Sequence, residues 1–415
     1  MAGDTARGLR LHLGLFGRRN AGKSSLLNAL ARQEISLVSD VPGTTTDPVE
    51  KPFELPPLGP VVFIDTAGLD DEGPVGALRV ARTRRVLDGV DLALLVTDGG
   101  RVGPLEEELC AELRAREVPV VLVWNKADAQ PPDVAGRAAL ARLGAPVVAT
   151  AATSGDGVPE LLATLARLAP QGRLEAPLLA DLVGPGDLAL LVVPLDPEAP
   201  KGRLILPQVQ TIRDALDADA CTLVVKEREL RHALGYLGRP PALIVTDSQA
   251  LLKVAADAPP GVPLTTFSIL FARHRGDLTA FVRGCGAVER LRPGDRVLVA
   301  EACSHHPSGE DIGRVKIPRW LTQYVGFPLE FTTVSGRDFP ADLARYQLVV
   351  HCGGCMLSRR EVLARVRQCG AAGVPITNFG MMIAYSLGVF ERALGPFPGA
   401  LEVYRAMRAG YAGVG

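Results

Sequence analysis

The sequence predicts an α/β protein in three domains, with mainly parallel sheets. Three observations carry that expectation. The first is length, because 415 residues exceed one ordinary core when a domain takes roughly 100 to 200 residues. The second is a recurring order of short apolar runs, helix-like segments and brief connections, the pattern of a parallel sheet buried under helices. The third is a glycine-rich turn, Gly17-Arg18-Arg19-Asn20-Ala21-Gly22-Lys23-Ser24, set between a strand-like run and a helix-like run.

Taken in order, Leu11–Phe16, Val61–Asp65, Leu92–Thr97, Val118–Asn125 and Val147–Ala152 read as strands of the first domain. Each is a short apolar run that ends in a polar or glycine-rich loop, where open α/β sheets bind ligands. A closing helix over Gly155–Leu168 and the breaker Pro170-Gln171-Gly172 place the first boundary near residue 172. A second α/β pattern follows over residues 173–262, with strands at Leu188–Pro194, Cys221–Lys226 and Ala242–Asp247 and helices near Gln208–Ala218 and Glu229–Leu237. It concentrates no chemistry, which fits a structural or self-association module. Ala258-Pro259-Pro260-Gly261 separates it from residues 263–415, where Arg296–Ala300, Leu348–Val350 and Val374–Thr377 read as buried parallel strands and Arg359–Cys369 as a helix.

Composition removes several function classes. A chain with 47% hydrophobic and 22% charged residues and a net charge of -1 can bury cores but has no global field to draw nucleic acid or acidic membranes. Apolar runs such as Leu188–Val193 fall short of the roughly 18 to 20 residues of a membrane-spanning helix. No apolar run follows the charged start of the chain, so a cytoplasmic location is expected, and the seven cysteines are not a secreted disulfide framework. Only 7 of the 45 basic residues are lysine, which makes a lysine at a defined place informative.

Gly17 to Ser24 fits GxxxxGK[ST], and the strand-turn-helix context is the one that this phosphate-binding pattern needs. Backbone N–H groups around Gly17, Ala21, Gly22 and Ser25 can face phosphates, Lys23 adds a compact charge, and Ser24 can bind Mg2+. Asp65-Thr66-Ala67-Gly68 ends a strand, so Asp65 can hold the Mg2+ shell and the Gly68 N–H can approach a γ-phosphate. Thr45, in Gly43-Thr44-Thr45-Thr46-Asp47, can add a hydroxyl to the metal. Asn125-Lys126-Ala127-Asp128 has the form of a guanine reader, since a carboxylate accepts from the N1 and N2 donors that adenine lacks. Ala151-Ala152-Thr153-Ser154-Gly155 stands at the last base-binding loop, where the Ala152 backbone is the expected contact. GTP is the expected substrate.

These motifs resemble the translation-factor-related GTPases, particularly the tRNA-modification and ribosome-assembly branch. The residue after the DTAG motif is Leu69, not the glutamine of a Ras-type mechanism. Relatives with an apolar residue there often depend on K+ held partly by a phosphate-loop asparagine, which Asn20 matches. The resemblance thus implies slow, K+-stimulated hydrolysis. A solvated acidic turn is the expected role of Asp70, Asp71 and Glu72.

Cys303-Ser304-His305-His306 and His351-Cys352-Gly353-Gly354-Cys355 gather three cysteines and half of the six histidines. Soft thiolates favour zinc or an iron–sulfur cluster over Mg2+ or Ca2+. Zinc would use three cysteines and one histidine, whereas a cubane would use three cysteines and leave one iron for another ligand. The residues leave those two open, and a redox dithiol beside them. Cys110, Cys221, Cys285 and Cys369 have no such company and read as small hydrophobes.

The two segments resemble the CxH…HCxxC signature of the HydF family, GTPases that mature FeFe hydrogenase, and the likeness continues through Asp311–Leu321 and Gly373–Gly380. The resemblance implies a 4Fe-4S cluster on Cys303, Cys352 and Cys355, with His305 or His351 as a fourth ligand or an outer hydrogen-bond partner. It also implies a dimerising middle domain and a scaffold or carrier that takes a two-iron precursor from the radical-SAM partners HydE and HydG to apo FeFe hydrogenase. The alternative is a tRNA-modification or ribosome-assembly GTPase with a zinc-binding last domain.

Overall fold

The computed structural model describes residues 7–31, 49–66, 86–170, 177–194, 204–302, 311–336 and 338–412. The chain divides into two compact units, Met1–Glu175 and Ala176–Gly415. Thr45, Gly68, the turn after it, Cys303, His305 and His306 lie outside the described residues.

The first unit is built on a six-stranded sheet in the order β2-β3-β1-β4-β5-β6. Its strands are β1 Leu11–Phe16, β2 Val49–Leu55, β3 Gly59–Asp65, β4 Leu92–Asp98, β5 Val120–Asn125 and β6 Val147–Ala149. All neighbours run parallel except β2 and β3. β1 lies between β3 and β4 and is buried along its whole length, as a strand covered on both faces must be. Alternation sends Val61 and Phe63 into the core of one face and Val62 and Ile64 into the core of the other, which makes a three-layer sandwich. β2 carries Glu50, Lys51, Pro52 and Glu54 and therefore does not read as a buried strand. At the sheet edge a proline and charges are tolerated, and Phe53 packs edge-on against Phe63 with ring centroids 5.7 Å apart.

The second unit holds two wholly parallel four-stranded sheets. One has the order β10-β9-β7-β8, the other β12-β11-β13-β14. Their strands are β7 Leu188–Val192, β8 Cys221–Val225, β9 Leu243–Thr246, β10 Leu264–Thr266, β11 Arg296–Ala300, β12 Glu330–Val334, β13 Leu348–His351 and β14 Ile376–Asn378. β10 pairs with β9, so the middle sheet continues past the turn at Pro260 and residue 262. A single hydrophobic core links the two sheets, running from Leu178 to Ala400. Polar residues set the helix starts. Thr266, Asp277, Ser358 and Asn378 each accept a backbone N–H from their helix's first turn, contacts worth about 1 kcal/mol each.

Strand order fixes where ligands can enter. β11 is followed in sequence by β12 on one side and by β13 on the other, so the crevice beyond the carboxyl ends of β11 and β13 is a topological switch point. Glu301 and Ala302 continue from β11, and the loop that begins at Cys352 leaves β13.

Candidate functional site

In the first unit, β1 ends at Phe16, and the helix Lys23–Ala31 begins six residues after Gly17. Gly17 has φ +145°, and a Cβ there would sit 2.3 Å from the Val96 carbonyl oxygen. Gly22 has φ +87°, and its Cβ would sit 2.2 Å from Asn125 Nδ2. Both positions therefore require glycine. Asn20 occupies the left-handed region at φ 61°, which asparagine tolerates better than most residues. Lys23 Nζ donates to the carbonyls of Gly17 at 3.0 Å and Arg18 at 2.9 Å. Ala21 is buried, and Ser25 is exposed on the first turn of the helix.

The Ser24 hydroxyl reaches the carboxylate of Asp65. Burial raises the Asp65 carboxyl above its usual range, and Lys23 and Lys51 only partly oppose this. Its Oδ1 is buried with no hydrogen-bond partner among the described residues. Such an oxygen needs an explanation. A hard divalent cation such as Mg2+ provides one, with oxygen donors from both side chains.

On the base side, Asn125 is buried at the end of β5. Its Nδ2 donates to the Ala21 carbonyl at 3.0 Å, and its Oδ1 accepts from Thr150 Oγ1 at 3.2 Å and from Ala152 N at 3.3 Å. One amide thus gathers three loops. Lys126, at φ 60°, pairs with Asp98 at 3.0 Å, and Asp128 accepts a long bond from Thr153 Oγ1 at 3.4 Å. The Asp128 carboxylate is exposed to the space in front of the loop.

In the second unit, Ala300 and His351 are register partners on β11 and β13. The Ala302 N–H donates to Cys352 Sγ at 3.0 Å, and the Gly354 N–H lies 3.4 Å from the same sulfur. The residue preceding Cys303 is therefore tied to the sulfur of Cys352. Gly354 turns the loop at φ +65°. His351 is buried, its Nδ1–H donates to the Cys352 carbonyl at 2.6 Å, and Arg365 donates to its Nε2 at 2.9 Å. Both ring nitrogens are engaged, and burial beside Arg365 holds its pKa down at about 3. The ring is neutral across the physiological range. Burial raises the Cys355 thiol, with Arg275 opposing. Two thiols at a switch point, with N–H donors on one sulfur, fit the anionic sulfur set of a soft-metal site. Among the described residues alone, no group of three or more metal-binding side chains occurs, Cys303 being outside them.

The other cysteines separate cleanly. Burial pushes Cys110 up to about 11 and Cys285 and Cys369 up to about 12, and Cys285 Sγ packs 3.0 Å from Thr377 Oγ1. Cys221 departs from the buried role expected of it and is exposed on edge strand β8.

Residues 178–276 match the family model described as the hydrogen maturase F dimerization domain, and residues 279–396 the one described as the hydrogen maturase F tetramerization domain. The chain belongs to the hydrogen maturase F family. Residues 12–126 match the model described as 50S ribosome-binding GTPase, so the family's two modules follow a GTPase domain. That domain is 43% identical over 164 residues to tRNA modification GTPase MnmE of Chloroflexus aurantiacus, covering 39% of this chain and 35% of the relative. It is 38% identical over 167 residues to the MnmE of a Synechococcus strain, covering 38% and 34%. The chain spans about a third of the length of these curated relatives. Among solved structures, the G domain of the T. maritima FeoB iron transporter is 27% identical, with a TM-score of 0.31, over 38% of this chain and 98% of that one. A variant of Aquifex aeolicus Era bound to GDP.AlF4- is 20% identical, with a TM-score of 0.35, over 55% and 98%.

Two buried arginines of the hydrogen maturase F portion, Arg275 and Arg365, each stand beside a cysteine of the loop and were not foreseen from sequence. No local signal marks them in an arginine-rich chain. Asp98 was not foreseen either, although its pairing with Lys126 joins β4 to β5.

Proposed function

We propose that the chain is a hydrogenase-maturation GTPase that works in the cytoplasm as a scaffold or carrier. It receives a two-iron precursor as cargo from HydE and HydG and passes it to apo FeFe hydrogenase. The single observation that carries this reading is the Ala302 N–H···Sγ Cys352 bond, in a chain of the hydrogen maturase F family. That bond supports a common pocket for Cys303, Cys352 and Cys355.

In this reading the three cysteines bind a 4Fe-4S cluster, and Gly353-Gly354 let the loop close on it. When bound, the cluster supplies an iron with an open position for a bridging ligand of the cargo. His351, held through both ring nitrogens, orients the loop from outside the ligand set, and His305 is the fourth ligand or a further outer partner. The modules after the GTPase domain assemble the chain into a dimer and higher oligomers.

At the other site, the turn from Gly17 to Ser25 holds the phosphates of GTP, with Lys23 on the terminal ones. Ser24, Asp65 and Thr45 hold Mg2+, and the Gly68 N–H senses the γ-phosphate. Asn125, Lys126, Asp128 and the Ala152 backbone hold guanine. Asn20 holds a K+ ion that speeds hydrolysis. Nucleotide state regulates partner exchange because GTP and GDP favour different arrangements of the loops around Thr45 and Gly68, an effect that requires differential affinity for those arrangements.

The test is activation. Protein produced anaerobically with HydE and HydG is mixed with purified apo-hydrogenase and hydrogen evolution is measured. Activation by the wild-type chain that disappears in Cys352→Ser, while GTP hydrolysis persists, is the expected result. A wild-type chain that gives no activation refutes the carrier role.

A further inference from the structure

Arg365 presents a charge problem. It is buried on the helix Arg359–Ala371, stacked over Phe339 at 4.9 Å. Its hydrogen bonds go to neutral acceptors, His351 Nε2 at 2.9 Å and the Gly336 carbonyl at 2.7 Å. Glu361, one turn earlier on the same helix, supplies a partial counter-charge while its carboxylate also caps Ser358 N. A guanidinium cannot shed its proton at working pH, and a buried charge is costly without a counter-charge. A second cation stands nearby. Arg275 is buried at the end of the helix Phe267–Arg275, and its NH1 donates to the Leu357 carbonyl at 2.6 Å, with the Cys355 carbonyl at 3.4 Å. Both arginines flank the cysteine loop, Arg365 through His351, which precedes Cys352, and Arg275 through the carbonyls of Cys355 and Leu357.

We propose that Arg365 and Arg275 are the positioning and charge-compensating residues of the cysteine pocket, matched to an anionic iron–sulfur cluster and setting its reduction potential. The inference rests on the cluster reading of the pocket. Three thiolates and a [4Fe-4S]2+ core carry a net charge of about -1, and one added electron brings it to about -2. Two fixed guanidiniums stabilise the more negative state more strongly, so they raise the potential. Arg365 adds a second effect, since its bond to His351 Nε2 fixes the ring tautomer and thereby the Cys352 carbonyl.

The experiment is a potentiometric titration of anaerobically reconstituted full-length chain, with dithionite as reductant and EPR as readout, on wild type, Arg365→Gln, Arg275→Gln and Arg365→Lys. Removing either charge should disfavour reduction about tenfold, ~59 mV for one electron. Arg365→Lys keeps the charge and should hold the wild-type potential while altering the EPR line shape. If one glutamine variant does not fold, the other carries the measurement. Wild-type potentials in both glutamine variants overturn the proposal while leaving the cluster reading intact. Wild-type chain that takes up only colourless zinc removes both.

Discussion

Asn125 Nδ2 donates to the carbonyl of Ala21 at 3.0 Å, joining two motifs 104 residues apart. The phosphate turn and the base loop are thus one hydrogen-bonded assembly, because the same amide also accepts from Thr150 and Ala152.

Asn125→Ala removes all three bonds and leaves buried polar atoms behind, at a cost of about 2 kcal/mol. The expected outcome is about a 30-fold loss of GDP and GTP affinity, measured with a fluorescent nucleotide. Affinity within threefold of wild type contradicts the joint role.

Asp128→Asn exchanges an acceptor for a group that also donates. Guanine then loses a charge-assisted partner worth roughly 1.5–3 kcal/mol, whereas xanthine, with a carbonyl at the same edge, gains a donor. Competition binding should show GDP weakened at least tenfold and XDP strengthened.

Asp65 supplies a pH test. Burial raises its folded-state pKa above the unfolded value, so the native state binds the extra proton between those two values. The contribution of Asp65 to the stability of the metal-free chain is then fully present below its unfolded pKa, near 3.8, and is lost as pH rises through the folded value. Asp65→Asn escapes this loss. Calorimetry without metal at neutral pH should give a higher Tm for the variant, and Mg2+ should raise the wild-type Tm alone. An equal response to Mg2+ in both proteins would remove Asp65 from the metal site.

Asn20 provides the cation test. GTP turnover should be faster in K+ than in Na+ at equal ionic strength, and Asn20→Asp should change the ratio. Equal turnover in the two salts would show that Asn20 holds no activating cation.

Much of the architecture was legible because its signals are local. The glycines, lysine and serine of residues 17–24 lie within a single turn, and buried parallel strands such as β1 are near-continuous apolar runs. β2 was not legible, since Pro52 and three charged residues suit an edge strand and resemble a loop. β10 and β12 were also missed. β10 is only three residues long, and most of β12 is exposed, so neither gives an apolar run of useful length. The cysteine signature was visible, but its supporting charges were not. Arg365 lies 14 positions from His351 and on a different element, and only the fold brings them together.

The helix Phe267–Arg275 has a consequence for dissecting the chain. Phe267, Ile269, Leu270 and Phe271 lie in the core shared by both sheets of residues 176–415, while Arg275 at its end reaches the cysteine loop. By sequence this helix belongs to the module of residues 178–276, yet its last residue holds the cysteine loop of the next module. Severing the chain between the two would strip apolar surface from both pieces and take a cation from the pocket. Residues 176–415 should therefore melt in one cooperative transition, and metal loading should depend on the integrity of the module that joins chain to chain.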